Sequence, residues 1–338
     1  MSSTFERCLA DYREQVLPRI EDLLSDKAES PLYELICDYP KRGGKGFRAA
    51  LCLATCLACG ANRDIGEQLA ASIELFHSGF LVHDDIQDGS ELRRGRETMH
   101  ALHGIPIAIN IGHALNLLGF RALLTALNCT NQGITGRIVE ETYTMLEHSL
   151  EGQAMELAWI RDNAIALDDQ DYLRMCLKKT SWYTCIYPMR VGVLLAGRRS
   201  TDDWYRFGWY LGAAFQIQDD YLNLVGQEDR YGKEIGGDLL EGKRTLMLLH
   251  YLRHAPALER ERAREFLVGP RSARSTPDQQ WLLRAMHRTG SIEYARSCAR
   301  RLAGAALFEA LCVLRDEPVS IHKQFLLDAS TFVVQRTA

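Results

Sequence analysis

An ionised carboxylate is hard to place in an apolar helical interior, and this chain does it twice. Asp84, Asp85 and Asp88 stand in FLVHDDIQD, and Asp219 and Asp220 stand in FQIQDDYLN, well over a hundred residues later. Both runs carry a helical pattern, and burying such charges is expensive unless something cationic pairs with them. A fold that accepts both must open a polar cavity inside an apolar body.

At 100° per residue, Asp84 and Asp88 lie one above the other at i and i+4, with Asp85 beside them. Asp219 and Asn223 repeat the arrangement, with Gln216 one turn before. Two such helices facing each other form opposing walls of oxygen ligands. That suits magnesium, which prefers oxygen and keeps waters and substrate phosphates in its shell. The metal would act as a clamp on phosphate.

The basic residues fit the same chemistry. RGGKGFR places Arg42, Lys45 and Arg48 around a Gly-Gly turn that opens a helix, and ELRRGRETMH places Arg93, Arg94 and Arg96 just past the first acidic cluster. Guanidinium grips phosphate as a fork and lysine as a point charge. These cations outnumber what one metal-bound phosphate needs, so two anionic substrates are implied. Each motif also has a bland reading. Asp84 to Asp88 could be an exposed helix end before Gly89-Ser90, but the apolar FLVH run and the second cluster argue against it. Lys45 and Arg48 alone would pass for surface residues, and a histidine such as His77 on an apolar helix is usually a hydrogen-bonded core residue.

Taken in order, GGKGFR, HDDIQD followed by LRRG, KKT at Lys178 to Thr180, FQIQDDYLN, YGKEIGGD and EGKRTL resemble the motifs of trans-isoprenyl diphosphate synthases, over roughly residues 40 to 245. The resemblance implies an all-α fold, an isoprenoid synthase-type helical bundle around a central active-site cavity. It implies an enzyme that joins isopentenyl diphosphate to an allylic diphosphate, works with magnesium and assembles as a homodimer. By the resemblance, Asp84, Asp88 and Asp219 hold the metal, and Asp85 and Asp220 belong to the catalytic set. Arg93, Lys179, Lys233 and Lys243 meet the allylic diphosphate, while Lys45, Arg48, His77 and Arg94 hold isopentenyl diphosphate. Thr180 and Gln216 fall beside the allylic carbons. His83, His100, His103 and His113 have no such match and read as structural.

The same resemblance puts control of product length at Gly79 and Phe80, just before Asp84, with Phe76 one turn deeper. One small residue beside one bulky residue favours the twenty-carbon geranylgeranyl diphosphate, with farnesyl diphosphate as the alternative. Three positions depart from the family pattern: Gly46 where arginine is frequent, Ala49 where proline is frequent, and Asn223 where a third aspartate is usual. Altered metal affinity with activity retained is the expectation. A terpene cyclase would leave GGKGFR, His77 and LRRG without a task, and a non-catalytic partner subunit would be expected to lose metal ligands or cations. This chain keeps both sets.

The remaining features bound the setting. A chain of 338 residues with 46% hydrophobic content can bury a large core, and its formal charge of -4 gives no basis for nucleic-acid binding. The ten cysteines are scattered and read as small core residues of a reducing compartment; Cys56 and Cys59 form a lone CxxC without nearby histidines. The N-terminus lacks a signal-peptide core and no run reaches the ~18 uninterrupted apolar residues of a membrane span, so a cytoplasmic enzyme is expected. The apolar period predicts helices near 4 to 18, 47 to 59, 64 to 88, 107 to 127, 134 to 156, 169 to 196, 202 to 224, 243 to 254, 277 to 287, 291 to 315 and 319 to 334. With no linker and no repeat, residues 1–338 read as one domain.

Overall fold

Helical periodicity becomes helix almost throughout the computed structural model, which describes residues 4–25, 31–198, 200–226 and 235–336. The helices are α1 Thr4–Ser25, α2 Pro31–Lys41, α3 Phe47–Ala58, α4 Arg63–Asp88, α5 Met99–His103, α6 Ile105–Leu127, α7 Gln132–Arg161 and α8 Asp169–Cys176. They continue as α9 Tyr187–Leu195, α10 Asp203–Val225, α11 Gly237–Glu241, α12 Leu246–His254, α13 Ala257–Val268, α14 Thr276–Arg288, α15 Ser291–Val313 and α16 Ile321–Gln335. The segment predicted as one helix over 169 to 196 is divided, because Leu177–Ile186 winds as a π-helix between α8 and α9. Short α2 and the charged α13 lie outside the predicted helices. Pro40 inside α2 and the weak apolar period of ALERERAREFLV explain why. A two-stranded hairpin, Leu92–Arg93 against Arg96–Glu97, follows α4.

The first acidic cluster occupies the last turn of α4. That helix starts where Asn62 Oδ1 accepts from the Ile65 amide, and it stops at Gly89, whose φ of 62° is left-handed. Along its length it packs on α6 through glycines. A Cβ at Gly79 would lie 2.6 Å from Asn116 Oδ1, and one at Gly119 would lie 3.0 Å from the Phe76 ring. Leu69, Leu75 and Phe76 of α4 are buried, and each contributes about 2 kcal/mol by leaving water. The second cluster sits near the end of α10. A Cβ at Gly212 would lie 2.5 Å from the Ser181 backbone, so α10 lies hard against the π-helix.

Two features qualify the composition-based expectations. By length and mean hydropathy (1.4), α6 could cross a membrane, although it contains Asn110, His113, Asn116 and Arg121. Ala108, Ile111, Leu115, Leu118 and Ala122 of α6 are buried in the bundle. The cysteines are all free, but Cys129 and Cys312 are exposed and are not core residues.

Candidate active site

The two acidic helix ends face a cavity of about 620 Å³, bordered by Asp84, Asp219 and Asp220 together with Lys45, Arg48, His77, Arg93, Arg94, Lys179, Thr180, Gln216 and Lys243. A larger cavity of about 790 Å³ lies behind α10 and borders none of these residues. The first gathers the chemistry. Lys233 lies outside the described residues.

The first wall is not uniform. Asp84 faces the cavity, with Arg93 Nη2 at 3.4 Å and Lys179 Nζ at 3.6 Å. Asp85, expected among the catalytic groups, is turned away: it is 1% exposed and does not border the cavity. A 100° step on a half-buried helix separates the two. Asp88 is buried against Lys243, with Nζ 2.6 Å from Oδ2. Burial and the neighbouring Asp84 push its carboxyl up to about 7 against the pull of Lys243. Burial opposes the charge on Lys243, yet Asp88, Glu241 and Asp238 outweigh it and hold the ammonium protonated.

The second wall is likewise divided. Asp219 accepts from Arg336 Nη2 at 3.2 Å. Asp220 accepts from the Tyr172 hydroxyl and from Gln216 Nε2, each at 2.7 Å, and burial lifts its carboxyl to about 7. Thr180 Oγ1 donates to Gln216 Oε1 at 2.5 Å, which joins this wall to the π-helix. Asn223 is no part of the cavity border. Its Oδ1 accepts from the Asp238 amide at 3.0 Å, so the departure from aspartate is a helix-start contact that either side chain could make.

The glycine loop shapes the other pole. Arg94 donates a short bond to the Gly43 carbonyl; Gly44 has φ of 135°, which favours glycine, and a Cβ there would lie 2.6 Å from the same guanidinium and displace it. Arg94 itself takes φ of 55°, a left-handed conformation rare for arginine. Gly46, where relatives often carry arginine, has φ of 64° and its Cβ would press on Arg13. Arg48 donates to Tyr183 Oη at 2.7 Å and lies 3.3 Å from His77 Nε2. A guanidinium can only donate, so Nε2 accepts and the proton sits on Nδ1, a buried atom with no partner among the described residues. Burial, then Arg48, keeps the ring well below its usual pKa and neutral.

Comparison with known proteins settles the family. The polyprenyl synthetase profile matches residues 29–284. The chain belongs to the polyprenyl synthetase family. It is 29% identical over 329 residues to a geranylgeranyl pyrophosphate synthase of Geoglobus acetivorans, covering 97% of this chain and 98% of that one. It is also 29% identical over 295 residues to the octaprenyl diphosphate synthase of Escherichia coli, covering 87% and 86%. A polyprenyl synthase from Caulobacter crescentus, solved with calcium and isoprenyl diphosphate, superposes with a TM-score of 0.87 at 25% identity, over 98% of both chains. This polyprenyl synthetase is thus a prenyltransferase on an all-α fold, and relatives of different product length resemble it equally well.

Several residues of the synthetase site escaped the motif reading. Glu156 of α7, buried, accepts a short bond from Lys179 and sets that lysine's position. It shares its helix face with Ser149, Gly152 and Gln153, so nothing in EGQAMEL marks it. Arg336 joins the site from just past α16, far along the chain, and Tyr183 follows Thr180 on the same π-helix but lies outside the KKT motif. Conversely, Arg42 pairs with Asp38 and Arg96 with the same carboxylate, both outside the cavity border.

Proposed function

We propose that this prenyltransferase condenses isopentenyl diphosphate with an allylic diphosphate and releases geranylgeranyl diphosphate, with farnesyl diphosphate as the alternative product. The observation that carries the reading is the pair of separate cationic sets on one cavity. Arg93, Lys179 and Lys243 stand by the acidic walls, and Lys45, Arg48 and Arg94 stand by the glycine loop beside the neutral His77. Two separate phosphate-gripping sets suit two diphosphate substrates.

The donor set fits a hard divalent ion only in part. Among the described residues no three His, Cys, Asp or Glu side chains form a metal cage, so water and phosphate oxygens must complete any coordination, which is the habit of magnesium. Magnesium bound by Asp84 and Asp219, which border the cavity, would neutralise charge on the departing diphosphate, while Asp88, expected as a third ligand, is buried on Lys243 off the cavity border. The side chains supply the rest. Arg93, Lys179 and Lys243 orient the allylic diphosphate and stabilise the charge its oxygen gains as the carbon–oxygen bond breaks. Arg48, Lys45, Arg94 and the free Nδ1–H of His77 fix the second diphosphate, so that its double bond meets the allylic cation. Loss of a proton from the new carbon chain restores neutrality. Phe80, Leu81, Tyr183, Phe215 and Phe332 border the same cavity and keep water from the cation.

Product length is supported by Phe80, which borders the cavity edge-on to Tyr183 with ring centroids 5.5 Å apart. Gly79 and Phe76 turn towards α6, so a growing tail would pass Phe80 first. A homodimer is supported by the apolar surface of α6 and α7, where Leu117, Leu124, Tyr143 and Leu150 are each more than half exposed. We read the whole chain as one domain. Mass spectrometry of products formed with magnesium, isopentenyl diphosphate and each of dimethylallyl, geranyl and farnesyl diphosphate tests the reading. Five-carbon extension ending at twenty carbons is expected, and no extension of any primer would refute it.

A further inference from the structure

A buried network stands behind the first acidic wall. Tyr39, in the last turn of α2, is fully buried, and its hydroxyl donates a short hydrogen bond to Asp85 Oδ2. Asp85 Oδ1 accepts from Arg93 Nε at 2.7 Å and from Arg93 Nη2 as well. Both oxygens of Asp85 are therefore engaged, and the carboxylate does not border the cavity. It cannot meet a ligand itself. What it can do is hold the Arg93 guanidinium, which does border the cavity and reaches Asp84 at 3.4 Å.

The hydroxyl decides how the carboxylate is used. Burial, then the charge of Asp85, pushes the Tyr39 phenol far above its ordinary pKa, so it remains a donor throughout the working pH range. Without it, Asp85 could meet arginine through either oxygen or through both, and each choice turns the planar fork differently. With the phenol on Oδ2, both Arg93 contacts fall on Oδ1. The ring is held in turn by Arg42, whose guanidinium lies 4.9 Å from its centroid and which is anchored by Asp38 and the Glu97 carbonyl. A chain of contacts thus runs from the hairpin through α2 to the cavity. Arg93 Nε and Nη2 are taken up by carboxylates, so a phosphate would meet Nη1.

We propose that Tyr39 is a positioning residue for the allylic diphosphate site, fixing the Arg93 fork through Asp85. The inference rests on the reading above that Arg93 meets the allylic diphosphate. Tyr39→Phe tests it, because the ring stays and only the hydroxyl goes. Calorimetric binding of the thio-linked analogue of geranyl diphosphate, with magnesium, is compared between wild type and variant. Michaelis constants for geranyl and isopentenyl diphosphate are measured alongside. The variant should bind the analogue about tenfold more weakly, the cost of one hydrogen bond to a charged group. The constant for geranyl diphosphate should rise by a similar factor, that for isopentenyl diphosphate should stay within twofold, and adding Tyr39→Phe to Asp85→Asn should cause no further loss. Unchanged analogue binding would overturn the proposal. So would an equal rise in both constants accompanied by a lower melting temperature, which is the mark of a merely structural tyrosine. A wild type that binds the analogue but forms no prenyl product would refute the proposed reaction and leave the binding comparison to judge Tyr39; a wild type that does not bind it overturns both.

Discussion

Lys243 Nζ lies 2.6 Å from Asp88 Oδ2, so the last carboxylate of the first acidic wall is held by a lysine that follows the second. Glu241, 2.8 Å from the same ammonium, is held in turn by Arg271 Nη1 at 3.1 Å and Ser90 Oγ at 3.3 Å. The two halves of the site are thereby tied together across the cavity rim.

Removing that lysine should expose the tie. Lys243→Gln leaves Asp88 buried beside Glu241 and Asp238 without its main cation, and breaking such a pair costs about 3–5 kcal/mol. The loss should be largest near pH 8 and smaller near pH 6, because Asp88 titrates at about 7 and is then largely neutral. Urea denaturation at the two pH values reads the difference, and equal losses would speak against the pairing.

Asp220 gives a second pH-dependent outcome. Burial raises its carboxyl to about 7, Tyr172 and Gln216 pull it down, and Asp219 pushes it further up. A folded carboxyl titrating above its unfolded value binds extra protons between about pH 4 and 7. Its contribution to stability is therefore present at the acid end of that window and lost as pH rises through 7, by a few kcal/mol in all. The metal-free wild type should lose stability relative to Asp220→Asn over this range. Parallel pH profiles would contradict it.

The two cationic sets predict separable kinetics. Arg48→Ala should raise the Michaelis constant for isopentenyl diphosphate by about tenfold or more, while Lys179→Ala acts on the allylic substrate. Arg48 also holds Tyr183 and stacks on its ring at 4.5 Å, so some loss of turnover should accompany the change. Identical effects of both variants on both substrates would remove the distinction.

Tail length turns on Phe80. Phe80→Ala opens the cavity wall beside Tyr183 and should shift products beyond twenty carbons. Gly79 differs, because its Cβ would meet Asn116 Oδ1 at 2.6 Å and the Gly112 carbonyl at 3.0 Å. Gly79→Phe should therefore wedge α4 from α6 and lower the melting temperature as well as shorten the product. Unaltered product length in Phe80→Ala would place the floor elsewhere.

Motif order and helical phase made the long helices and the two acidic walls legible, because apolar spacing records which face is buried and the charges interrupt it visibly. Phase alone could not separate Asp84 from Asp88. Their common face is divided only by α11 and the loop carrying Lys243, which arrive from elsewhere in the chain. The π-helix left no trace in the pattern, since Leu177–Ile186 keeps an ordinary helical composition while Gly152 and Gly212 bring α7 and α10 against its backbone. Tyr39, Glu156 and Arg336 act through contacts made in three dimensions, and no local spacing marks them.

The central claim is that both acidic walls act on one leaving diphosphate. The direct measurement is single-turnover product formation, at saturating substrates and magnesium, by wild type, Asp84→Asn and Asp219→Asn. Each variant keeps the side-chain shape and loses one charge. Both should fold normally, and each should slow the reaction by about a hundredfold or more, since every ~1.4 kcal/mol of lost transition-state stabilisation is tenfold in rate. A near-normal rate in either variant would contradict the two-wall account.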